Sequence, residues 1–367
     1  MNTLNKIKST NYNILHAFES WVEKIPEAEC LFITKNQKTY TYKQLSELVN
    51  KVANGFKSIG IQEGDRIAFA LTNCAEYCYG FYGTIKSKAI IVPLNPSFKI
   101  EEALYIMQSS EAKIVVTNTN LLPLYKNIRN KYKGLKEIIV VDSETSETDP
   151  DVISLNDLLR NSSSQIESPN FASDDVFEIM YTSGTTGKPK GVMLTHIGVW
   201  SNARVFIEDM ELGPGDKLFT VAPLCFAAAQ GAAMHNAFTS GAALYLGESW
   251  RGAEDILQTI EKYKITYFFG PPTFWVFILN HPKINDYDLS SLRIGFTGAA
   301  PLSVETFNQF KNRFGFEIIE GAGMTETSPL YSINPYRGIK KPGSCGLPIP
   351  NTKVKIFDYN DNEVPVG

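Results

Sequence analysis

Apolar and polar positions along this chain follow two periods, and the switches between them mark out its elements. The run "TYKQLSELVNKVANGFKSIG" (Thr41 to Gly60) carries apolar residues at helical spacing, with a threonine placed to cap it and a glycine to stop it. "GDRIAFAL" then reads as a strand, followed by a helix from about Ala75 to Lys86 and the strand "AIIVPLN". The helix "IEEALYIMQSS", the strand "AKIVVT", another helix and the strand "EIIVVD" continue the series. Strand–helix–strand repetition predicts a mostly parallel sheet covered on both faces. After "VFEIM" the grammar repeats, with "KLFTVAPL", "AALYLG", "ITYFFG", "LRIGFTG" and "FEIIEG" as strands between helices. Beyond Met324 the pattern turns β-like and rich in glycine and proline.

Between Ser143 and Asp175 the chain is polar and acidic, apart from one short helix, "ISLNDLLR". This stretch reads as a surface connection between two halves. The expected fold is α/β: two mostly parallel, doubly wound sheet subdomains, residues 1–170 and 171–330, with a smaller β-rich segment at 331–367. A length of 367 residues, too great for one compact core, agrees with the division.

Composition excludes more than it assigns. A formal net charge of -4 gives no electrostatic footprint for nucleic acid. Leu218 to Gly247 contains no Asp, Glu, Lys or Arg, but Pro223, Gln230, Gly231, His235, Asn236 and Gly241 interrupt it. A buried helix followed by a buried parallel strand accounts for that stretch better than a membrane span. The N-terminus lacks the apolar centre of a signal peptide. The five cysteines are scattered and odd in number, as expected of reduced thiols in a cytoplasmic protein.

Three strand ends carry candidate chemistry. "YTSGTTGKPKG" (Tyr181 to Gly191) sets the hydroxyls of Thr182, Ser183, Thr185 and Thr186 among Gly184 and Gly187, beside Lys188 and Lys190. Backbone N–H groups of a glycine-rich turn, hydroxyl donors and lysine charge suit phosphate oxygens. The spacing is neither a Walker A loop nor a dinucleotide fingerprint, because Pro189 removes a donor where the Walker helix would begin. "EGAGMTET" (Glu320 to Thr327) places Thr325 and Glu326 after a strand, where they suit either magnesium–phosphate chemistry or a helix cap. "GFTGAAP" (Gly295 to Pro301) ends another strand in small residues, which let a flat ring approach the backbone or simply make a tight turn.

Together these three words resemble the adenylate-forming enzymes: acyl- and aryl-CoA synthetases, luciferases and the adenylation domains of peptide synthetases. "TYKQL" and "VPLNPSF" also resemble words of that family, so the likeness spans roughly the whole chain. It implies activation of a carboxylic acid with ATP to an acyl-adenylate, then transfer to a thiol, either of CoA or of a phosphopantetheinyl carrier protein. It implies Thr182, Lys190, Thr325 and Glu326 as catalytic residues, with Glu326 the ligand to Mg²⁺. The nucleotide would rest on Thr182, Ser183, Gly184, Thr185, Thr186 and Gly187, on Gly298, Ala299 and Ala300, and on Gly321, Ala322, Gly323, Met324 and Thr325. Phe226, Ala227, Gly231, His235 and Gly298 would line the acid pocket.

The chain departs from the family pattern in three places. The family carries a ribose-binding aspartate, a hinge and a mobile C-terminal domain with a catalytic lysine. Nothing after "EVPVG" supplies them, so this chain is expected to be the large N-terminal domain, incomplete for full turnover. Phe226 stands where many CoA synthetases have histidine, and Ala227 where α-amino-acid enzymes have an aspartate. Ala322 replaces an aromatic beside the adenine, a stack worth about 1–3 kcal/mol. An α-ammonium without a counter-ion is costly to bury, so the acid is expected to be fatty or aromatic and to lack an α-amino group. A carrier-loading enzyme and a non-catalytic acyl- or nucleotide-binding module are the alternatives.

Overall fold

The computed structural model describes residues 13–143, 152–183 and 187–365. Its local elements follow from local chemistry. Thr41 Oγ1 accepts the Gln44 N–H at 3.2 Å while Gln44 Oε1 accepts the Thr41 N–H at 3.0 Å. This reciprocal cap starts the helix Tyr42–Ser58, and Gly60, at a φ of +87°, turns the chain away from it.

Two sheets organise the molecule. The first has seven strands in the order Ile153–Ser154, Glu137–Val140, Ile114–Thr117, Arg66–Phe69, Ile90–Pro93, Val176–Thr182 and Lys190–Thr195. All neighbours are parallel except the last pair, an antiparallel hairpin. The second has nine, in the order Leu347–Pro348, Leu330–Ile333, Ile318–Gly323, Ile294–Thr297, Tyr267–Phe269, Lys217–Thr220, Ala243–Leu246, Glu29–Ile33 and Lys38–Thr41. Its centre is parallel and both margins are antiparallel.

The strand alternation is visible in the cores. Ile67 and Phe69 of the first sheet and Leu218, Leu244 and Ile294 of the second enter one central core with the helices Ile14–Lys24, Tyr42–Ser58, Ala75–Lys86 and His196–Met210. Ala68, Val92 and Val115 point the other way, against the helices Ile100–Ser109 and Leu122–Lys131. Phe219, Tyr245 and Phe268 likewise pack on Ala253–Tyr263, Pro272–Leu279 and Val304–Phe314. The result is two sheets covered on both faces, with one layer of helices shared between them. The charge-free stretch forms a buried strand, a helical segment over 227–240 and a second buried parallel strand. No helix among the described residues is long and apolar enough to cross a membrane.

Sheet membership crosses the sequence division at residue 170. Glu29–Ile33 and Lys38–Thr41, not anticipated as strands, extend the second sheet, and the hairpin 176–195 extends the first. Alternation of apolar positions marks a strand and its buried face, but carries no information about its partner. The C-terminal strands Leu330–Ile333 and Leu347–Pro348 lie on the margin of the second sheet, and beyond them the described chain holds one isolated bridge, Phe357 to Glu363. The connecting segment is tied to the helix Tyr42–Ser58. There Asn50 Nδ2 donates to Ser164 O at 2.9 Å, and Asn54 Nδ2 donates to Ser163 O at 2.7 Å.

A buried polar seam joins the sheets. Asn73 Nδ2 donates to Ala222 O at 3.0 Å and to Gly247 O at 2.9 Å, and Asn73 Oδ1 accepts the Leu224 N–H at 2.8 Å. Deeper, Gln230 Nε2 donates to Glu178 Oε1 at 2.8 Å and to Tyr77 Oη at 3.2 Å, while Tyr77 Oη donates to Leu224 O at 2.8 Å. Glu178 Oε2 is buried without a partner. Burial outweighs the amide's hydrogen bond and pushes the Glu178 carboxyl up from 4.5 to about 8. Between these values the folded state keeps a proton that the unfolded chain has lost. This group's contribution to stability is therefore complete below pH 4.5 and is lost as pH rises through 8. Glu178→Gln keeps the acceptor for Gln230 and should abolish that slope. The variant should melt near the parent temperature at pH 5 and several degrees higher at pH 8, as read by calorimetry.

Candidate active site

The parallel strands of the second sheet end at a cleft of about 330 Å³. Its walls come from four sources: the helical segment 227–240, the helix His196–Met210, the strand ends at Phe269, Phe296–Ala299 and Gly321, and the turn from Gly323 to Leu330. Ligands of open α/β sheets bind at such carboxyl ends. The inner end is buried and aromatic. Phe296 stands edge-on to Phe206 with centroids 4.9 Å apart and lies 5.8 Å from Phe269. The rim is exposed at Phe226, Ala299 and Met324. No ionisable side chain lines the cleft among the described residues.

The glycines are required by close approach. A Cβ on Gly298 would stand 2.9 Å from the Gly321 carbonyl oxygen, so two strand ends can meet at the cleft floor only without that atom. One on Gly231 would stand 2.7 Å from Pro329 Cδ. Ala299 adopts a φ of +68°, a left-handed conformation unusual outside glycine.

The turn after Gly323 separates the two readings of "GMTET". Thr327 Oγ1 accepts the Met324 N–H at 3.0 Å and donates to Pro329 O at 2.6 Å, so Thr327 performs the capping. Thr325 is thereby left to line the cleft, and Glu326 is exposed on the turn beside it. Asn202 fixes this wall from the neighbouring helix, donating to Leu330 O at 2.8 Å and to Thr327 O at 3.3 Å. The glycine- and threonine-rich word connects the antiparallel strands Val176–Thr182 and Lys190–Thr195, in which Thr182 pairs with Lys190. Tyr105 Oη donates to Pro189 O at 3.1 Å and clamps its base, with Lys188 Nζ 5.8 Å from the Tyr105 ring centre. Thr182 is half-buried, while Ser183, Gly187, Lys188 and Lys190 are exposed. Gly184, Thr185 and Thr186 lie outside the described residues. The second hairpin strand packs against the turn Thr325–Thr327.

Of the expected acid-pocket residues, Phe226, Ala227, Gly231 and Gly298 line the cleft. His235 is placed elsewhere. Its ring lies in the core against Phe81, with Nδ1 3.3 Å from Tyr82 Oη, and burial lowers it from 6.5 to about 3, so it is neutral. The cause is a wide π-type turn over Gln230–His235. An extra residue in a turn shifts every following side chain by about 100° relative to a regular helix, one residue's share of 3.6 per turn. Asn236 therefore occupies the face that regular helical spacing assigns to His235. Of the expected nucleotide residues, Gly298, Ala299, Gly321, Gly323, Met324 and Thr325 line the cleft. Ala300 is exposed beside it, and Ala322 pairs across the sheet margin with Ser332. Sequence reading missed Asn202, Phe206, Asn236, Phe269 and Phe296. Phe269 and Phe296 stand in strands that the pattern located, and only the pairing of those strands brings the rings together.

The chain matches the AMP-binding enzyme family over residues 18–367 and belongs to it. Among its relatives, 4-coumarate–CoA ligase 1 of Petroselinum crispum is 30% identical over 95% of this chain and 64% of its own length. A long-chain-fatty-acid–CoA ligase of Bacillus subtilis is 29% identical over 89% of this chain and 62% of its own length. The chain thus spans a little under two thirds of the curated relatives it matches. The crystal structure of the anthranilate CoA ligase AuaEII in complex with anthranoyl-AMP superposes with a TM-score of 0.90, at 28% identity, over 98% of this chain and 68% of that one.

The close approach at the cleft floor yields a stability test. Gly298→Ala should cost about 1–3 kcal/mol through overpacking against backbone that cannot yield. Gly213→Ala is the control, since a Cβ there meets nothing within 4 Å. Urea unfolding of the two variants should show a lowered midpoint for the first and an unchanged one for the second.

Proposed function

We propose that this chain is the nucleotide- and acid-binding part of an acid–thiol ligase that forms AMP. An uncharged apolar cleft bounded by the turn that carries Thr325 and Glu326, against which the second strand of the hairpin packs, carries this reading. Family membership supports it. The acid's carboxylate attacks the α-phosphate of ATP in line, a P–O bond forms, and pyrophosphate leaves with the electrons of the broken P–O bond. The thiol of CoA, giving its proton to water, then attacks the acyl carbon; the C–S bond forms as the acyl C–O bond to the phosphate breaks, and AMP departs with that electron pair.

The carboxylate is already ionised at neutral pH, so the protein has no proton to remove in the first step. Its work is to hold two anions together and stabilise the charge that develops. Backbone N–H groups and hydroxyls from Thr182 to Gly187 hold phosphate oxygens, Lys190 adds positive charge, and Thr325 donates from the cleft side. Among the described residues no group of three or more His, Cys, Asp or Glu could cage a metal. A lone exposed Glu326 fits Mg²⁺ that arrives on the nucleotide, since magnesium takes one or two carboxylates together with substrate phosphates and water. The ion supplies charge neutralisation at the phosphates. Gly298, Ala299, Gly321, Gly323 and Met324 offer small side chains and backbone to the nucleotide, beside Ala300 and Ala322.

The aromatic inner end and the alanine-rich helix suit an aromatic or elongated apolar acid, in line with the acids named for the relatives above. With no carboxylate in the cleft, an α-ammonium would stay unpaired at a cost of several kcal/mol. Phe226, half exposed at the rim where many CoA synthetases have histidine, supports a second reading in which the acceptor is a carrier protein. Incubating the full-length enzyme with CoA or with a phosphopantetheinylated carrier distinguishes the two by which thioester appears.

Two outcomes test the assignment. In pyrophosphate exchange with the full-length enzyme, Glu326→Gln should need at least tenfold more magnesium for half-maximal rate. An unaltered magnesium titration would leave Glu326 without this role. In an acid panel, benzoate, cinnamate or a fatty acid should outrun every standard α-amino acid by 100-fold or more, the discrimination available when a charge is left unpaired. An amino acid as best substrate would refute the reading of Ala227.

A further inference from the structure

The inner end of the cleft contains one polar side chain that nothing in the protein satisfies. Asn236 is 1% exposed and lines the cleft, and its side-chain amide is unpaired, with Oδ1 fully buried and without a hydrogen-bond partner. Its neighbours on this wall are apolar or already paired. Phe206, Phe269 and Phe296 are rings, and Asn202 spends its amide on the Thr327 and Leu330 backbone. An unpaired buried amide costs free energy, and native structures leave few such groups without a purpose. A hydrophobic residue at 236 would complete the aromatic wall, so the amide is an anomaly in an otherwise apolar end.

Its orientation is built in. The wide turn Gln230–His235 brings Asn236 onto the cleft face and sends His235 into the core. Gln230, in the same turn, is held by Glu178 and Tyr77, which anchors the segment from the far side. The position is therefore specified by the fold rather than left to a mobile side chain.

We propose that Asn236 is a specificity-determining residue whose amide hydrogen-bonds a neutral polar group on the acid, at the end remote from its carboxylate. This rests on the reading of the cleft as the acid pocket. The carboxylate must face the Thr325–Glu326 turn at the rim, so the group that reaches the buried end is the distal one. That group must be neutral, because no ionisable side chain in the cleft could balance a charge. The acid class is thus an aromatic or elongated apolar carboxylate with one terminal hydroxyl, which can both donate to and accept from an amide. Acids lacking that group leave the amide unpaired and bind less well.

Non-hydrolysable acylsulfamoyl-adenosines test this by calorimetry on this chain, in matched pairs with and without the distal hydroxyl. The pairs are benzoyl with 4-hydroxybenzoyl, cinnamoyl with 4-hydroxycinnamoyl, and octanoyl with 8-hydroxyoctanoyl. The parent should bind one hydroxylated partner about tenfold or more tightly than its mate. Asn236→Leu should erase or invert that ratio while binding the unhydroxylated mate at least as well as the parent does. Asn236→Ala provides the same comparison if the larger side chain prevents folding. Equal affinities within every pair for the parent, or a preference that survives both substitutions, would overturn the role of Asn236 and leave the acid pocket standing. Failure of the parent to bind any of the six analogues would instead overturn the pocket assignment, and this proposal with it.

Discussion

The cleft depends on the buried polar seam between the two sheets. Asn73 has its amide fully used on backbone groups at the ends of two strands of the second sheet and at Leu224. Tyr77, Gln230 and Glu178 continue the seam deeper, linking a helix, the wide turn and the strand that leads to the hairpin loop. Buried polar groups tolerate few alternative arrangements, because a shifted partner leaves a donor or acceptor unpaired at a cost of about 1–3 kcal/mol. Apolar contacts alone would let the two sheets slide. The seam sets their registration, tying the strand Val176–Thr182 of one sheet to the strand ends of the other.

This arrangement puts unlike chemistries on the two sheets. The hairpin of the first sheet carries the exposed Ser183, Lys188 and Lys190, whose hydroxyl and charges suit an anion. The second sheet contributes small residues at strand ends and rings behind them, which suit a flat or apolar body. The Thr325–Thr327 turn lies between, and Thr327 closes that turn on its own backbone so that Thr325 and Glu326 are not consumed in doing so. The apolar interior of the cleft follows from the second sheet and the helices that supply its walls.

The helical segment 227–240 belongs to both features. Its alanines and Gly231 make room, and Gly231 admits Pro329 where a Cβ would collide. The wide turn within it rotates the faces, sending one polar residue to the core and another to the cleft. His235 is neutral at working pH because burial disfavours its charged form, so it adds no charge to the core beneath the cleft.

Much of this was legible in the amino-acid order. Helix Ala75–Lys86 falls where apolar spacing placed it, the Thr41 cap forms as its neighbours demand, and the strand-end words around Gly298 and Thr325 meet at the cleft. These features depend on interactions between residues close in sequence, or on patterns that one element carries by itself. The partners of Glu29–Ile33, the exchange of strands between sheets, the joining of Phe206, Phe269 and Phe296, and the choice of Asn236 over His235 were not legible. Each is settled by residues far apart in the chain, whose pairing depends on shape and on unpaired polar groups elsewhere in the fold. The sequence by itself determined the elements, their buried faces and the chemistry carried at their ends. Tertiary packing alone decided which ends meet and which side chain of a turn faces the space between them, because those energies exist only when both surfaces are present.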